Sequence, residues 1–207
     1  MAIVNGYATL AELQERSASL TQGYDGAAGT TELERVIEVA SRDIDSYCDR
    51  HFFQTDAATV RYVARPSSGW WLPVPDLVHG SITAVEIDID DTDSWTAYTD
   101  YEVDPYPGDL RSGVQWPVER LHSLGSRLWP TGGKHARRVR VTATWGWAAV
   151  PRAVNQATLE LAAQRAKSAE APFGVAGFND YGAVRITELK SVQRMLYPYM
   201  RNRAMVG

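Results

Sequence analysis

The sequence predicts an α+β fold, a small bundle of about four α-helices with an antiparallel β-rich insertion between the second and third. Two observations carry this. Apolar residues recur at helical spacing near both ends of the chain, and in between they give way to short β-branched and aromatic runs separated by turn residues. The length of 207 residues sets the scale, enough for one elaborated domain or two small ones with a core that needs no staples. The expected organisation is a helical domain from 1–51 and 148–207, and a β-rich insertion over 52–147. No internal repeat is visible.

The first helix is expected to begin at Thr9. Thr9 and Glu12 form a capping box, in which the hydroxyl accepts an orphan backbone N–H and the carboxylate reaches back to the cap. Leu10, Leu13 and Leu20 then face inward. The stretch 22–30 holds three glycines and reads as a loop. Thr31 and Glu34 form a second capping box. After it Leu33, Val36, Ile37, Ala40, Ile44, Tyr47 and Cys48 recur at helical spacing to about Arg50. The polar face of that helix is expected to carry Glu34, Arg35, Glu38, Arg42, Asp45 and Asp49.

Candidate strands in the insertion are 59–64, 70–74, 82–89, 95–98, 101–103 and 137–145. Val85, Ile87 and Ile89 alternate with Glu86, Asp88 and Asp90, the period-two pattern of a half-buried strand. Val139, Val141 and Ala143 alternate with Arg138, Arg140 and Thr142 in the same way. Asp90-Asp91-Thr92-Asp93 reads as a hairpin turn, so the block is a small antiparallel sheet or barrel.

Helix returns at Pro151, a residue suited to the first helical position because its missing N–H costs nothing there. Val154, Ala157, Thr158, Leu161 and Ala162 make one face. Ala153, Ala163, Ala166 and Ala169 add small residues that favour helix and let a neighbour approach. A glycine-aromatic segment over 172–182 follows. A last short helix starts near Ser191, includes Val192, Met195 and Leu196, and stops or kinks at Pro198.

Composition narrows the function classes. Net charge is −4, which disfavours non-specific nucleic-acid binding by the chain as a whole. The single cysteine, Cys48, excludes an internal disulfide and a four-cysteine zinc site. No stretch approaches the ~20 apolar residues of a membrane span, and the opening residues lack a signal-peptide pattern. Charge is uneven. Between Asp76 and Asp109 there are ten acids and no Lys or Arg, whereas Arg185, Lys190, Arg194, Arg201 and Arg203 face one acid, Glu188, near the end. The insertion therefore reads as acidic and the tail as basic.

No residue pattern assembles catalytic chemistry. Cys48 and His51 are three apart, but Cys48 lies on the apolar stripe and reads as a small buried hydrophobe. Asp88, Asp90, Asp91 and Asp93 are more simply turn residues than calcium ligands, because the EF-hand glycine and closing glutamate are missing. The 174–182 segment lacks the lysine and Ser or Thr of a phosphate loop. Its Phe173, Gly174, Gly177, Phe178, Asn179 and Tyr181 are better read as a subunit- or partner-docking loop. The seven tryptophans cluster in the insertion, where core packing is their default role.

Three segments, in this order, resemble the head–tail connector (adaptor) family of long-tailed bacteriophages. The first runs Thr31-Glu32-Leu33-Glu34-Arg35-Val36-Ile37 to Tyr47-Cys48, then Arg50-His51-Phe52-Phe53. The second spans 139–147 and leads into Val150-Pro151-Arg152-Ala153-Val154-Asn155-Gln156-Ala157-Thr158. The third is Ala171-Pro172-Phe173-Gly174-Val175-Ala176-Gly177-Phe178 ahead of Tyr197-Pro198-Tyr199. The opening Tyr7-Ala8-Thr9-Leu10-Ala11-Glu12-Leu13 is similar too, while the long insertion departs from the compact members.

The resemblance implies a structural virion protein made in the host bacterial cytoplasm. It implies a homo-oligomeric ring, typically a dodecamer, below the portal protein, joining head to a head-closure or other neck or tail protein. Genomic DNA passes through the lumen without sequence-specific binding. No enzyme activity, cofactor, metal or membrane is implied. The same likeness makes Arg194, Tyr197, Tyr199, Met200, Arg201 and Arg203 portal-contact candidates. An acidic lumen would keep DNA from sticking during passage. The alternatives are another neck protein (head-closure or tail-completion), or a surface- or glycan-binding module using the aromatics of the insertion.

Overall fold

The computed structural model describes residues 3–16, 26–111, 113–125, 127–170 and 189–201. Its elements are α1 (Leu10–Arg16), α2 (Gly26–Cys48), nine strands, α3 (Arg152–Glu170), α4 (Lys190–Leu196) and a 3-10 turn (Tyr197–Tyr199). This is the α+β order expected, with the strands between the second and third helices. The chain divides into two compact units, one formed by Met1–Phe52 with Val150–Arg201 and the other by Phe53–Ala149. No helix among the described residues is long and apolar enough to cross a membrane.

In the helical unit, α1 opens with the capping box. Thr9 N–H donates to Glu12 Oε2 (2.7 Å) and Glu12 N–H to Thr9 Oγ1 (3.2 Å). The second expected box does not form, and α2 starts five residues earlier than Thr31. Ala27 and Ala28 favour helix, and the hydroxyls of Thr30 and Thr31 donate back to the carbonyls of Gly26 and Ala27, both at 2.9 Å. Those hydroxyls satisfy helix-interior carbonyls rather than orphan N–H groups. The end of α2 is a left-handed cap: Asp49 has φ 55° and Arg50 N–H reaches back to the Asp45 carbonyl at 3.2 Å.

Leu33, Val36, Ile37, Ala40, Ile44 and Cys48 are buried, as their spacing required. Asp45 is buried as well, against the expectation that it lies on the polar face. Helix α3 packs against α1, α2 and α4. Its Val154, Ala157, Thr158, Leu161 and Ala162 are all buried. Pro151 sits one residue before its first turn, its carbonyl accepting from Val154 and Asn155 N–H.

The β unit contains two antiparallel sheets and a hairpin. β1 (Thr59–Val63), β9 (Val139–Ala143), β3 (Ala84–Asp88) and β4 (Trp95–Ala97) form one sheet in the order β1-β9-β3-β4. β2 (Trp71–Leu77), β8 (Val118–Ser123) and β5 (Tyr101–Asp104) form the second in the order β2-β8-β5, and β6 (Leu110–Arg111) pairs with β7 (Val114–Gln115). Val63, Leu72, Val85, Ile87, Leu121, Val139, Val141, Trp129 and Trp145 share one core.

β6, β7 and β8 were not expected. β8 places apolar residues at 118 and 121, three apart, with Glu119, Arg120 and His122 around them. That spacing breaks the period-two signal even though β8 is the central strand of its sheet. The alternation in β3 also fails at its end. Ile89 is 43% exposed and Asp88 is buried, because both Asp88 carboxylate oxygens accept turn N–H groups, from Thr92 and Asp93, at 3.1 Å.

Candidate interaction surface

The C-terminal segment is built on two buried residues of α4, Val192 and Leu196. Pro198 cannot continue the α-helix, so the chain tightens into the 3-10 turn. The turn drives Tyr199 inward, edge-on to Phe52 with ring centroids 5.9 Å apart. Immediately after it, Arg201 N–H donates to the Cys48 carbonyl at 2.9 Å, fastening the segment to the end of α2. The same geometry leaves Tyr197 75% exposed and Met200 39% exposed, with Arg194 exposed on α4.

Of the six residues singled out here from the sequence, Arg194, Tyr197 and Met200 thus share an outward surface and Arg201 is half-buried beside them. Tyr199 is an anchor within the fold. Arg203 lies outside the described residues, as do all six of the docking-loop candidates, Phe173, Gly174, Gly177, Phe178, Asn179 and Tyr181.

A polar network underlies the anchor, and nothing in the sequence signals it. The Tyr7 hydroxyl donates to Asp45 Oδ1 and accepts the Phe52 N–H at 2.8 Å, while Tyr7 N–H donates to Ser41 Oγ at 3.1 Å. Burial first, then the hydrogen bond and charge of Asp45, push the Tyr7 phenol well above its ordinary value. Burial likewise raises the Asp45 carboxyl, opposed by Tyr7, Arg42 and His51. Arg42 Nε and His51 Nδ1 each lie 3.2 Å from Asp45 Oδ2. His51 thereby turns to Asp45. Cys48 is fully buried, and burial pushes its thiol up to about 12, so at neutral pH it stays a protonated core residue.

In the β unit the tryptophans divide by role. Trp116, Trp129, Trp145 and Trp147 are buried. The indole N–H groups of Trp129, Trp145 and Trp147 donate to the Leu121 carbonyl, the Thr59 carbonyl and Asp76 Oδ2 respectively. Trp70 and Trp71 are exposed, with Trp71 stacked on His122 at 4.3 Å.

The acidic run is less acidic in space than along the chain. Arg140 on β9 grips Glu86 with two bonds of 2.7 and 2.8 Å, and Arg120 on β8 holds Asp104 at 2.6 Å. The strands that follow the run in sequence return beside it and pair two of its acids, so the acidic character of the insertion is partly offset in space. Asp88, Asp93 and His135 bring one ligand-type atom each within 4.8 Å. Asp88 is already committed to the turn, and the Arg138 guanidinium lies 3.7 Å from neighbouring Asp91, a local positive charge that disfavours a cation.

No protein-family model and no curated protein sequence matches the chain. Solved structures do. A chain in the "Neck of empty GTA particle computed with C6 symmetry" aligns over 100% of this chain and 96% of its own, with TM-score 0.59 and 19% identity. A chain in the "Neck of native GTA particle computed with C12 symmetry" covers the same shares with TM-score 0.51 and 16% identity. At these identities the likeness establishes a shared fold over the whole length, both units included.

Proposed function

We propose that this chain is a structural neck protein of a tailed phage or phage-like particle, and specifically the head–tail connector subunit. Copies form a ring, about twelve in number, below the portal, extend the DNA channel and present a platform to the next neck or tail protein. The observation that carries the reading is the end-to-end likeness to chains of gene transfer agent necks, one of them computed with twelvefold symmetry. A match that spans helices and β insertion together favours a connector with this insertion over a β-barrel neck protein or a free-standing glycan-binding module.

The C-terminal surface supports the role in chemical terms. Tyr, Met and Arg are the residue types enriched at protein interfaces, and a large exposed aromatic flanked by cations suits an apolar pocket with an acidic rim. In this reading Arg194, Tyr197, Met200, Arg201 and Arg203 meet the portal, with Tyr199 holding the segment in shape. The ring needs no chemistry from the chain, and no cofactor or metal enters it. Its place is the virion, after synthesis in the host cytoplasm.

Electron microscopy of particles assembled with the gene switched off tests this. Filled or leaking heads separated from complete tails place the chain at the neck, and averaging the wild-type neck counts its copies. Normal tailed particles in its absence overturn the reading.

A further inference from the structure

We propose that the exposed loop 131–137, with Arg65 beside it, is a contact site for the phosphate backbone of duplex DNA. The loop reads Thr131-Gly132-Gly133-Lys134-His135-Ala136-Arg137, and all seven residues are exposed. Arg65 is exposed too and is fixed against the loop. Its N–H donates to the Ala136 carbonyl at 3.0 Å, and its guanidinium lies 3.4 Å from the Gly133 carbonyl oxygen. Among the described residues, Arg65, Lys134 and Arg137 have no carboxylate within ion-pair distance. Three cations without an ion pair are thus carried by one loop and the residue bonded to it, whereas Arg111, Arg120, Arg138 and Arg140 face carboxylates and Arg61 lies over the Trp145 ring.

The loop is held from below. The Asp91 carboxylate accepts the backbone N–H groups of Lys134 and His135. Arg138 binds the Gly132 carbonyl at 2.5 Å and also the Ile89 carbonyl. Gly133 has φ +116°, and a Cβ there would lie 2.6 Å from the Arg138 guanidinium and 2.9 Å from Asp91. The backbone is thus clamped from one side by the buried Arg138 and the partly exposed Asp91, so the loop loses little further ordering entropy when it meets a ligand.

Residue type selects the ligand. Lys, Arg, Thr and Gly without a large apolar residue are what phosphate-backbone contacts use. A protein partner would call for an apolar or aromatic centre, and Lys is depleted at such interfaces. The inference goes beyond the connector reading and rests on it only for the source of the duplex, the genome passing through the ring. It replaces the expectation of a uniformly repelling acidic lumen with a local cationic contact.

The experiment is fluorescence anisotropy of a short labelled DNA duplex titrated with the full chain, over salt from about 20 to 200 mM, where phosphate contacts are strongly salt-dependent. The variant R65Q/K134Q/R137Q lowers affinity at least about tenfold at the lowest salt. It also flattens the slope of log affinity against log salt by about 2.7, ~0.9 for each contact removed. The variant R16Q/R152Q/K167Q removes the same charge from exposed positions of the helical unit and leaves both unchanged. Equal binding by wild type and the loop variant, or no salt-dependent binding by wild type, overturns the proposal. So does polyglutamate competing as well as duplex at equal charge, which would make an acidic protein surface the partner. If DNA binding fails while necks still assemble, only the loop proposal falls. If particles form normally without the gene, only the connector reading falls.

Discussion

Replacing Tyr7 by Phe removes one oxygen and tests the network that anchors the C-terminal segment. The ring is 2% exposed and makes an edge contact with Phe52 at 5.7 Å, which Phe preserves. What is lost is the acceptor for the buried Phe52 N–H and the donor to Asp45 Oδ1. An orphaned buried N–H costs about 1–3 kcal/mol, and a bond to a charged group contributes about 1.5–3 kcal/mol. Asp45 keeps Arg42 and His51 on its other oxygen, so the lower part of the second range applies. The sum is about 2.5–4.5 kcal/mol, a large share of the ~5–15 kcal/mol that holds a domain together.

Urea denaturation followed by far-UV circular dichroism reads the helical unit, and Y7F should lower the midpoint by about 1–2 M. Tryptophan fluorescence reads the other unit, since all seven tryptophans lie between residues 53 and 149, and its transition should move less. The pH dependence has a definite sign. The folded Asp45 carboxyl titrates above its unfolded value, so between the two the native state holds more protons, and stability attributable to Asp45 rises as pH falls through the folded value. The Tyr7 bond lowers that carboxyl. Without it the deficit of Y7F is largest at neutral pH and narrows in acid. A shift under about 0.5 kcal/mol, no larger than an ordinary surface change, would refute the hydrogen-bond argument.

Other perturbations have equally direct readouts. Gly146 has φ +105° and a Cβ there would overlap the Phe53 carbonyl oxygen, so G146A should destabilise the β unit by more than about 3 kcal/mol and appear as an early fluorescence transition. Thr9→Ala removes the cap of α1 at a cost of about 1 kcal/mol. Glu12 is held below the usual carboxylate value chiefly by its bonds to Thr9. Its stabilisation is complete above the unfolded value and is lost as pH falls through the folded one; T9A keeps the backbone bond and loses only the hydroxyl–carboxylate bond, so its deficit should narrow in acid while the loss of the Glu12 N–H cap persists. On the connector reading, R194Q/Y197A should weaken capture of the cognate portal at least about tenfold, as loss of a hot-spot aromatic does, with unchanged circular dichroism. Undiminished capture would remove this surface from the portal contact.

Helix positions, the capping box at Thr9, the hairpin turn after Asp88 and the stop at Pro198 were legible along the chain because each is local. They depend on residues within about a turn of one another, on period, on hydroxyl and carboxylate caps and on the missing proline N–H. The exposed Arg194 and Tyr197 could likewise be placed on a basic terminal segment.

The tertiary structure decided what depends on partners distant in sequence. β8 is a strand because β2 and β5 flank it, despite its own broken alternation. Asp45 is buried because Tyr7, 38 residues away, brings it a donor. The run of acids is partly offset where β8 and β9 return with Arg120 and Arg140, while Arg65, Lys134 and Arg137 keep their charge without a carboxylate partner among the described residues. Periodicity records which face a residue takes in its own element. Which groups neutralise, satisfy or expose one another is settled only when the sheets and helices close.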